Sequence, residues 1–470
     1  MTHKVKQILL YTRNTEVHFH LELAKQLRVA YPEVNVKFLT FFSWAAKIAE
    51  DEGYNVHYLP HELQNVTDRD ISDERFKEID DQLYYGVGAN FNLMLNSERF
   101  LPKEKDEANT FGKKHLVVLD NIVSEGTLSI SSMYDHFFYW LGGSLANIRS
   151  GWHFAFVVCG VPAHRVIALK TPWETWKVTP NEDMQELLSK CISDMDKPVT
   201  ERIDYMAPHN PKPTYSSRWR SRLDERKCHN YDAKQMDFYF YEKLTLIDFF
   251  RSRLPSKWFL KKYPKTHDID TVRELEMLEY SACYYPLHFE PEATILMYSP
   301  WLKNQIEVCR LLSQALPINW KLIVKENPKM IGRRNVTYYQ RLSNIPNVLL
   351  INPRIPSKDI ILNSELTITL AGTASMEARI LGKPGIALGH PPFYSMLNLS
   401  DISIGLQLAN LFKVFQSGSE KLDLQTWSEW VSGTFEAAAS YNWHGIYYSL
   451  DSSEGNAIQY SNYIRQAIQL

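Results

Sequence analysis

Leu366-Thr-Ile-Thr-Leu370, followed by Ala371-Gly-Thr-Ala-Ser-Met-Glu-Ala378, decides the fold of the second half of the chain. Five residues rich in Leu, Ile and Thr read as a buried strand. Ala371-Gly372 reads as a tight turn, and 373–381 as a helix closed by Gly382 and Pro384. A strand that breaks at glycine and opens a helix carrying small hydroxyl residues suits an anion. The first amides of the helix have no partner within it, and the helix dipole adds about half a positive charge there. A phosphate fits against Gly372, Thr373, Ala374 and Ser375, with Glu377 one turn further in, in reach of ribose hydroxyls.

The same alternation extends on both sides of this unit. From about Met277 the pattern predicts strands at 282–287, 320–325, 348–351, 366–370 and 385–388, with helices at 301–314, 338–342 and 357–363. The first third behaves alike. Strands are expected at 7–12, 36–40, 55–59 and 115–120. Helices are expected at 17–29, with His18 and His20 in the first turn, and at 43–52, while 62–110 is polar and helical with loops. Elements of this length in alternation imply right-handed crossovers and parallel sheets. The fold class is therefore α/β, with two doubly wound parallel-sheet domains, and a cleft between two such halves suits an enzyme joining two substrates. The expected boundaries are 1–275 for an N-terminal domain with an aromatic and basic insertion at about 150–270, 276–425 for a C-terminal domain, and 426–470 for a helical segment.

Bulk properties agree with this and exclude several classes. A chain of 470 residues is too long for one ordinary core. It is 44% hydrophobic and 23% charged with a formal net charge of −2, so no overall basic excess argues for nucleic acid. Five scattered cysteines without a Cys-x-x-Cys pair suit reduced thiols rather than a disulfide framework or a zinc site. Met1-Thr-His-Lys-Val-Lys-Gln7 runs directly into Ile8-Leu-Leu-Tyr11 without the apolar core or cleavage site of a signal peptide, and no run of 18 apolar residues occurs. A cytoplasmic location follows as the expectation. Between Arg218 and Lys265, 13 Lys/Arg stand against 6 Asp/Glu, a local net of +7, interleaved with Trp219, Phe238, Tyr239, Phe240, Tyr241, Phe249, Phe250, Trp258 and Phe259. This stretch is either a solvated face over a satellite core or a peripheral contact with an anionic membrane surface.

Strand ends on one edge of a parallel sheet converge, and ligands bind there. In the second half this edge gathers His288, Glu290 and Glu292 from one loop, Lys325, Glu326, Asn327 and Pro328 from the next, Asn352-Pro353 from a third, and the turn at Gly372. Lys325 can neutralise a phosphate, and carboxylates can hold sugar hydroxyls. In the first half the corresponding position is the expected strand 115–120, which ends in Asp120 and continues through Asn121-Ile-Val-Ser-Glu-Gly126.

The ordered pieces Pro286-Leu-His-Phe-Glu-Pro-Glu292, Lys325-Glu-Asn-Pro328, Tyr338-Tyr339, Pro346-Asn-Val348, Thr369-x-Ala-Gly-Thr-Ala-Ser-Met-Glu377 and Gly382-Lys-Pro384 fall in order within the run from Tyr284 to Tyr394, about 110 residues. Together they resemble the bacterial capsule and surface polysaccharide synthesis glycosyltransferases. That family includes the CMP-Kdo transferases of capsule assembly and is distantly similar to bacterial sialyltransferases. The resemblance implies a GT-B fold of two Rossmann-like domains facing a cleft, with donor nucleotide in the C-terminal domain and acceptor in the N-terminal one, near His18 and His20. It implies no metal and no cofactor beyond the nucleotide-sugar substrate; Asp194-Met-Asp196 has the spacing of a metal motif but lies in a polar helix-like stretch. Two family motifs depart here. A His-Pro pair maps to Asn327-Pro328, where the side chain donates a hydrogen bond but carries no charge. An acidic-acidic-Gly motif maps to Ser124-Glu125-Gly126, retaining one acid ahead of Ser129, Ser131 and Ser132.

Transfer from a CMP-linked ulosonic acid needs positive electrostatics at the leaving phosphate, a carboxylate near the cationic sugar, and a base for the acceptor hydroxyl. Glu125 is the expected catalytic carboxylate and Asp120 its alternative, with Glu290 and Glu292 next; retention and inversion both stay open. The function expected is transfer of Kdo or a nonulosonic acid to a glycan or lipid-linked glycan in capsule or lipopolysaccharide assembly, at the inner face of the cytoplasmic membrane. A CDP-polyol or nucleotide-hexose transferase on the same fold, and a catalytically inactive assembly scaffold, are the alternatives.

Overall fold

The computed structural model describes residues 5–13, 16–98, 101, 104–131, 136–159, 165–177, 182–194, 197, 267–328, 330–331, 334–391, 428–429, 432, 438–439 and 453–468. The basic aromatic stretch 218–265 and Asp196 lie outside them, as does Ser132. The contacts divide the chain into two compact units.

The first unit begins with β1 (Gln7–Thr12), buried along its whole length, followed by β2 (Asn35–Thr40) and β3 (Asn55–Tyr58). It continues with β4 (Thr127–Ser131), β5 (His153–Cys159), β6 (Arg165–Thr171) and the short β7 (Glu174–Thr175). β1 pairs in parallel with β2, Gln7 opposite Asn35 and Thr12 opposite Thr40, and with β4, Leu10 opposite Ile130. β3 and β5 extend the parallel block on either side, and β6 closes it antiparallel to β5. The helix Val17–Ala30 follows β1 because Val17, Leu21, Ala24 and Leu27 fall on one face at helical spacing. That face packs on Ile8, Leu10, Leu128, Ile130 and Phe154 of the sheet.

The second unit holds β8 (Ser281–Pro286), β9 (Trp320–Lys325), β10 (Val348–Ile351), β11 (Leu366–Thr369) and β12 (Gly385–Ala387). Among the described residues every pairing is parallel, in the order β10-β9-β8-β11-β12. In the first sheet the parallel block runs β3-β2-β1-β4-β5. Both sheets therefore wind outward from their first strand and reverse direction next to it, the arrangement of a Rossmann-like half. The two expected doubly wound, Rossmann-like sheets are present. The strands at 7–12, 320–325 and 348–351 fall on the expected residues, and Gly382 (φ 73°) ends the helix Ala374–Ile380 in the left-handed region that favours glycine.

Three expectations fail. Residues 115–120 are not a strand but the second half of an 18-residue helix, Lys105–Ile122, which buries Phe111, His115, Leu116 and Leu119. A four-residue apolar run fits either element, and the helix wins because its core-facing positions continue back to Phe111 at helical spacing. The stretch after Gly126, where no strand was expected, forms one: Thr127, Ser129 and Ser131 are buried in β4. The domain boundaries also shift. Asp268 and Ile269 hydrogen-bond to Leu350 and Asn352 of the second unit, so that unit starts ahead of 276. The tail is not a separate helical segment. β13 (Ala438–Ala439) pairs antiparallel with β6, and the helix Ser453–Ile468 packs on the helix Val17–Ala30, with Phe19 and Tyr460 ring centroids 5.1 Å apart. Among the described residues, no helix is long and apolar enough to cross a membrane.

Candidate functional site

In a parallel sheet that reverses its winding, the crevice lies at the carboxyl ends of the two strands flanking the reversal. In the second unit these strands are β8 and β11. His288 follows β8 and Gly372 follows β11, and they touch. The His288 Nε2 accepts a hydrogen bond from the Leu370 amide at 3.2 Å. A Cβ built on Gly372 would stand 2.9 Å from the His288 Cε1, so the glycine is required by close approach. Its φ is not positive, so a strained backbone is not the reason. Burial pushes the His288 imidazole down to about 4, helped by Arg334, which keeps the ring neutral and able to accept that amide.

The turn itself is braced from within. The Thr369 hydroxyl donates to the Gly372 carbonyl at 3.1 Å, and the buried Ser375 hydroxyl donates to the same carbonyl at 3.0 Å. Ser375 is thus a strut of the turn, whereas Thr373 is exposed and donates its hydroxyl to Glu377 at 2.8 Å. The Glu377 amide reaches back to the Thr373 carbonyl at 2.8 Å, so the amides just ahead of it have no carbonyl within the helix to bond. Ala374 is buried behind them.

β9 contributes Lys325, Glu326 and Asn327, which divide into different roles. Lys325 is only 6% exposed, and its ammonium donates to the Ile355 carbonyl at 2.6 Å and the Ser357 hydroxyl at 3.1 Å, tying down the loop after β10. Burial lowers it to about 8, against the pull of Glu377 and Asp359. Glu326 is a buried junction. It accepts from the Asn327 amide at 2.6 Å and the Tyr339 hydroxyl at 2.7 Å, and faces the Arg334 Nε at 3.0 Å. Asn327 is half-buried and Pro328 exposed, and the Met330 amide closes this turn on the Asn327 carbonyl at 2.8 Å. Glu292 is half-buried, and its carbonyl accepts the Ile295 and Leu296 amides at the start of the helix Ala293–Tyr298. Glu290 is held by Arg334 and Gln305. Arg334 and Gln305 carried no pattern in the sequence: one lies in a loop, the other at the first residue of the helix Gln305–Ala315.

The first unit places its expected residues less favourably. His20 is buried, with Nδ1 2.8 Å from the Thr12 hydroxyl at the end of β1, and burial lowers it to about 4. His18 is half-buried with its ring edge-on to Trp44. Both lie near the carboxyl edge, on the helix that follows β1. The two expected catalytic carboxylates do not. Glu125 is exposed in a turn whose next residue, Gly126 (φ 85°), accepts from the Lys6 and Gln7 amides at the start of β1. It therefore sits at the amino edge of the sheet. Asp120, near the end of its helix, is clamped by Arg75 at 2.9 Å and by Arg149. Burial raises this carboxyl, but the hydrogen bonds from the two guanidiniums outweigh it and hold it below the usual carboxylate range. Asp120 also lines a cavity of about 560 Å³ with Asn65, Asp70, Ser72, Arg75 and Asn121. Among the described residues, no group of three or more His, Cys, Asp or Glu side chains is placed to hold a metal ion.

No family model matches the chain. No curated protein matches it either. Solved structures do. A KpsC beta Kdo 2,7 transferase from Thermosulfurimonas dismutans is 12% identical over 96% of this chain and 99% of that one, with a TM-score of 0.34. MurG from Acinetobacter baumannii is 11% identical over 96% and 99%, with a TM-score of 0.24. A UDP-GlcNAc 2-epimerase from Neisseria meningitidis is 13% identical over 95% and 98%, with a TM-score of 0.23. None of the three reaches a TM-score of 0.5.

Proposed function

We propose that the chain is a metal-independent glycosyltransferase of bacterial surface polysaccharide assembly. Its donor is a CMP-activated ulosonic acid, Kdo or a nonulosonic acid, and its acceptor a glycan or lipid-linked glycan at the inner face of the cytoplasmic membrane. The observation that carries this reading is the reversal point of the second sheet. There a glycine turn opening a helix after β11, and a buried lysine and the Asn327 loop at the end of β9, stand at the carboxyl ends of the two strands on either side of β8. Amides ahead of Glu377 and the Lys325 ammonium supply positive potential for a leaving phosphate, in a setting where burial strengthens it. Glu377, at the same helix start, is assigned to the ribose hydroxyls in this reading.

The carboxylate that steadies a cationic sugar is a different matter. Glu125 and Asp120 stand away from the carboxyl edge, whereas Glu290 and Glu292, the next candidates, follow β8 at that edge. The test is a thermal-shift comparison of CMP, CDP, UDP and GDP. A ligand at 100 times its dissociation constant adds about 2.7 kcal/mol. CMP should raise the melting temperature most. A uridine or guanosine nucleotide ranking first would sink the CMP donor, and release of CMP from a CMP-sugar without acceptor would exclude an inactive scaffold.

A further inference from the structure

We propose that Arg334 is a positioning residue of the donor site: its guanidinium locks the His288 backbone so that the His288 ring holds the Leu370–Gly372 turn. The proposal rests on the reading of this edge as a donor site and adds a residue that touches no ligand.

Arg334 reaches three partners with three nitrogens. Its Nη1 donates to Glu290 at 3.0 Å, its Nε faces Glu326 at 3.0 Å, and its Nη2 donates to the His288 carbonyl. The side chain is 4% exposed and lies over the Tyr338 ring, 4.5 Å from its centroid. A planar fork of this kind fixes directions as well as charge, which an ammonium cannot do. Gln305 grips the same residue from its other side, accepting the His288 amide at 2.8 Å and donating to the His288 carbonyl at 3.3 Å. The backbone of His288 is therefore held on both of its polar groups, and the ring is left to meet the Leu370 amide. The other face of that residue is fixed too, since the Leu370 carbonyl accepts the Gly389 amide at 2.6 Å. Tyr339, Glu326, Arg334, His288 and Leu370 thus form one continuous chain of contacts from the β9 loop to the glycine turn.

Two substitutions separate charge from geometry. Arg334→Gln removes both, and Arg334→Lys keeps the charge alone. Circular dichroism and melting establish folding. The readouts are hydrogen-exchange protection of the Leu370 amide and CMP affinity by calorimetry. Each should fall at least tenfold in both variants, with lysine rescuing little. Should Arg334→Gln fail to fold, Glu290→Gln removes a single acceptor and should lower both readouts about threefold. Unchanged Leu370 protection in folded variants overturns the route through His288. Lost protection with unchanged CMP affinity overturns the link to the ligand. If the wild type binds none of the four nucleotides, the donor reading has failed, and the Leu370 amide alone decides whether Arg334 holds the turn.

Discussion

The carboxyl edges of the two sheets share one strand order and differ in what they do with polar side chains. In the second unit the residues after β8, β9 and β11 are joined across loops: His288 to Leu370, Lys325 to Ile355, Glu326 to Tyr339 and Arg334. In the first unit the polar groups at the strand ends close on one another. The Thr40 hydroxyl donates to the Thr12 carbonyl at 2.8 Å, the Tyr139 hydroxyl reaches the same carbonyl at 3.4 Å, and His20 meets the Thr12 hydroxyl. The acids expected there stand elsewhere. A strand order brings loops to one edge; whether those loops carry chemistry depends on side chains left over after the edge has bonded itself.

Gly372→Val should have the largest effect, at least a hundredfold loss of CMP affinity in a folded protein. The new Cβ would meet the His288 ring. Calorimetry reads it, and undiminished affinity would erase the difference drawn between the two edges. Lys325→Ala should weaken CMP by about 1–3 kcal/mol, the scale of a charged hydrogen bond.

Lys325 also predicts opposite pH trends for binding and stability. Its folded value of about 8 lies below the ordinary 10.5. From pH 8 to 10.5 the unfolded chain binds more protons, so this lysine's contribution makes stability rise with pH, while below pH 8 its full cost is present. CMP affinity should run the other way, falling as pH passes 8 and staying flat in Lys325→Met. A wild-type profile as flat as that of the variant would remove the lysine from the site.

The first unit sharpens the comparison by what should not happen there. Asp120→Asn should lower stability by about 1–2 kcal/mol through its arginine contacts, and leave CMP affinity unchanged. Because the Asp120 carboxyl is held low, that contribution is present above its unfolded value and is lost as pH falls through its folded one; chemical denaturation at pH 7 and pH 3 reads the difference. Glu125→Gln should change turnover less than twofold; a hundredfold loss would restore it as the catalytic carboxylate. Asn327→His should be the smallest change, tolerated or raising CMP affinity a few-fold. A large loss would show that the turn closed on Met330 cannot accept the ring.

What the sequence made legible follows the same division. In the second unit each strand is a short run bounded by Pro, Gly or Asn, and each motif begins where its strand ends, so placing the strand placed the chemistry. The run 115–120 ends at Asn121 in the same way but belongs to a helix, and reading it as a strand carried Asp120 and Glu125 to the wrong edge. The strands that do build that side, β4 and β5, were missed, because Thr127, Ser129 and Ser131 alternate with Leu128 and Ile130 like a half-exposed strand while all five are buried. Arg334 was invisible for another reason: a loop arginine shows its worth only through partners 8 to 46 residues away in the chain.

The tail of the chain lies on its beginning. Tyr460 sits against Phe19 and Phe156, and Ala438–Ala439 extend the sheet edge at β6. During synthesis this matters for order of assembly. The second unit can complete its sheet from contiguous residues, whereas the first has a bare aromatic face until the ribosome has made the last helix, hundreds of residues later. Its closing contacts are among the longest-range in the molecule, which slows their formation and leaves apolar surface open meanwhile. The second domain translated is thus the first able to finish folding.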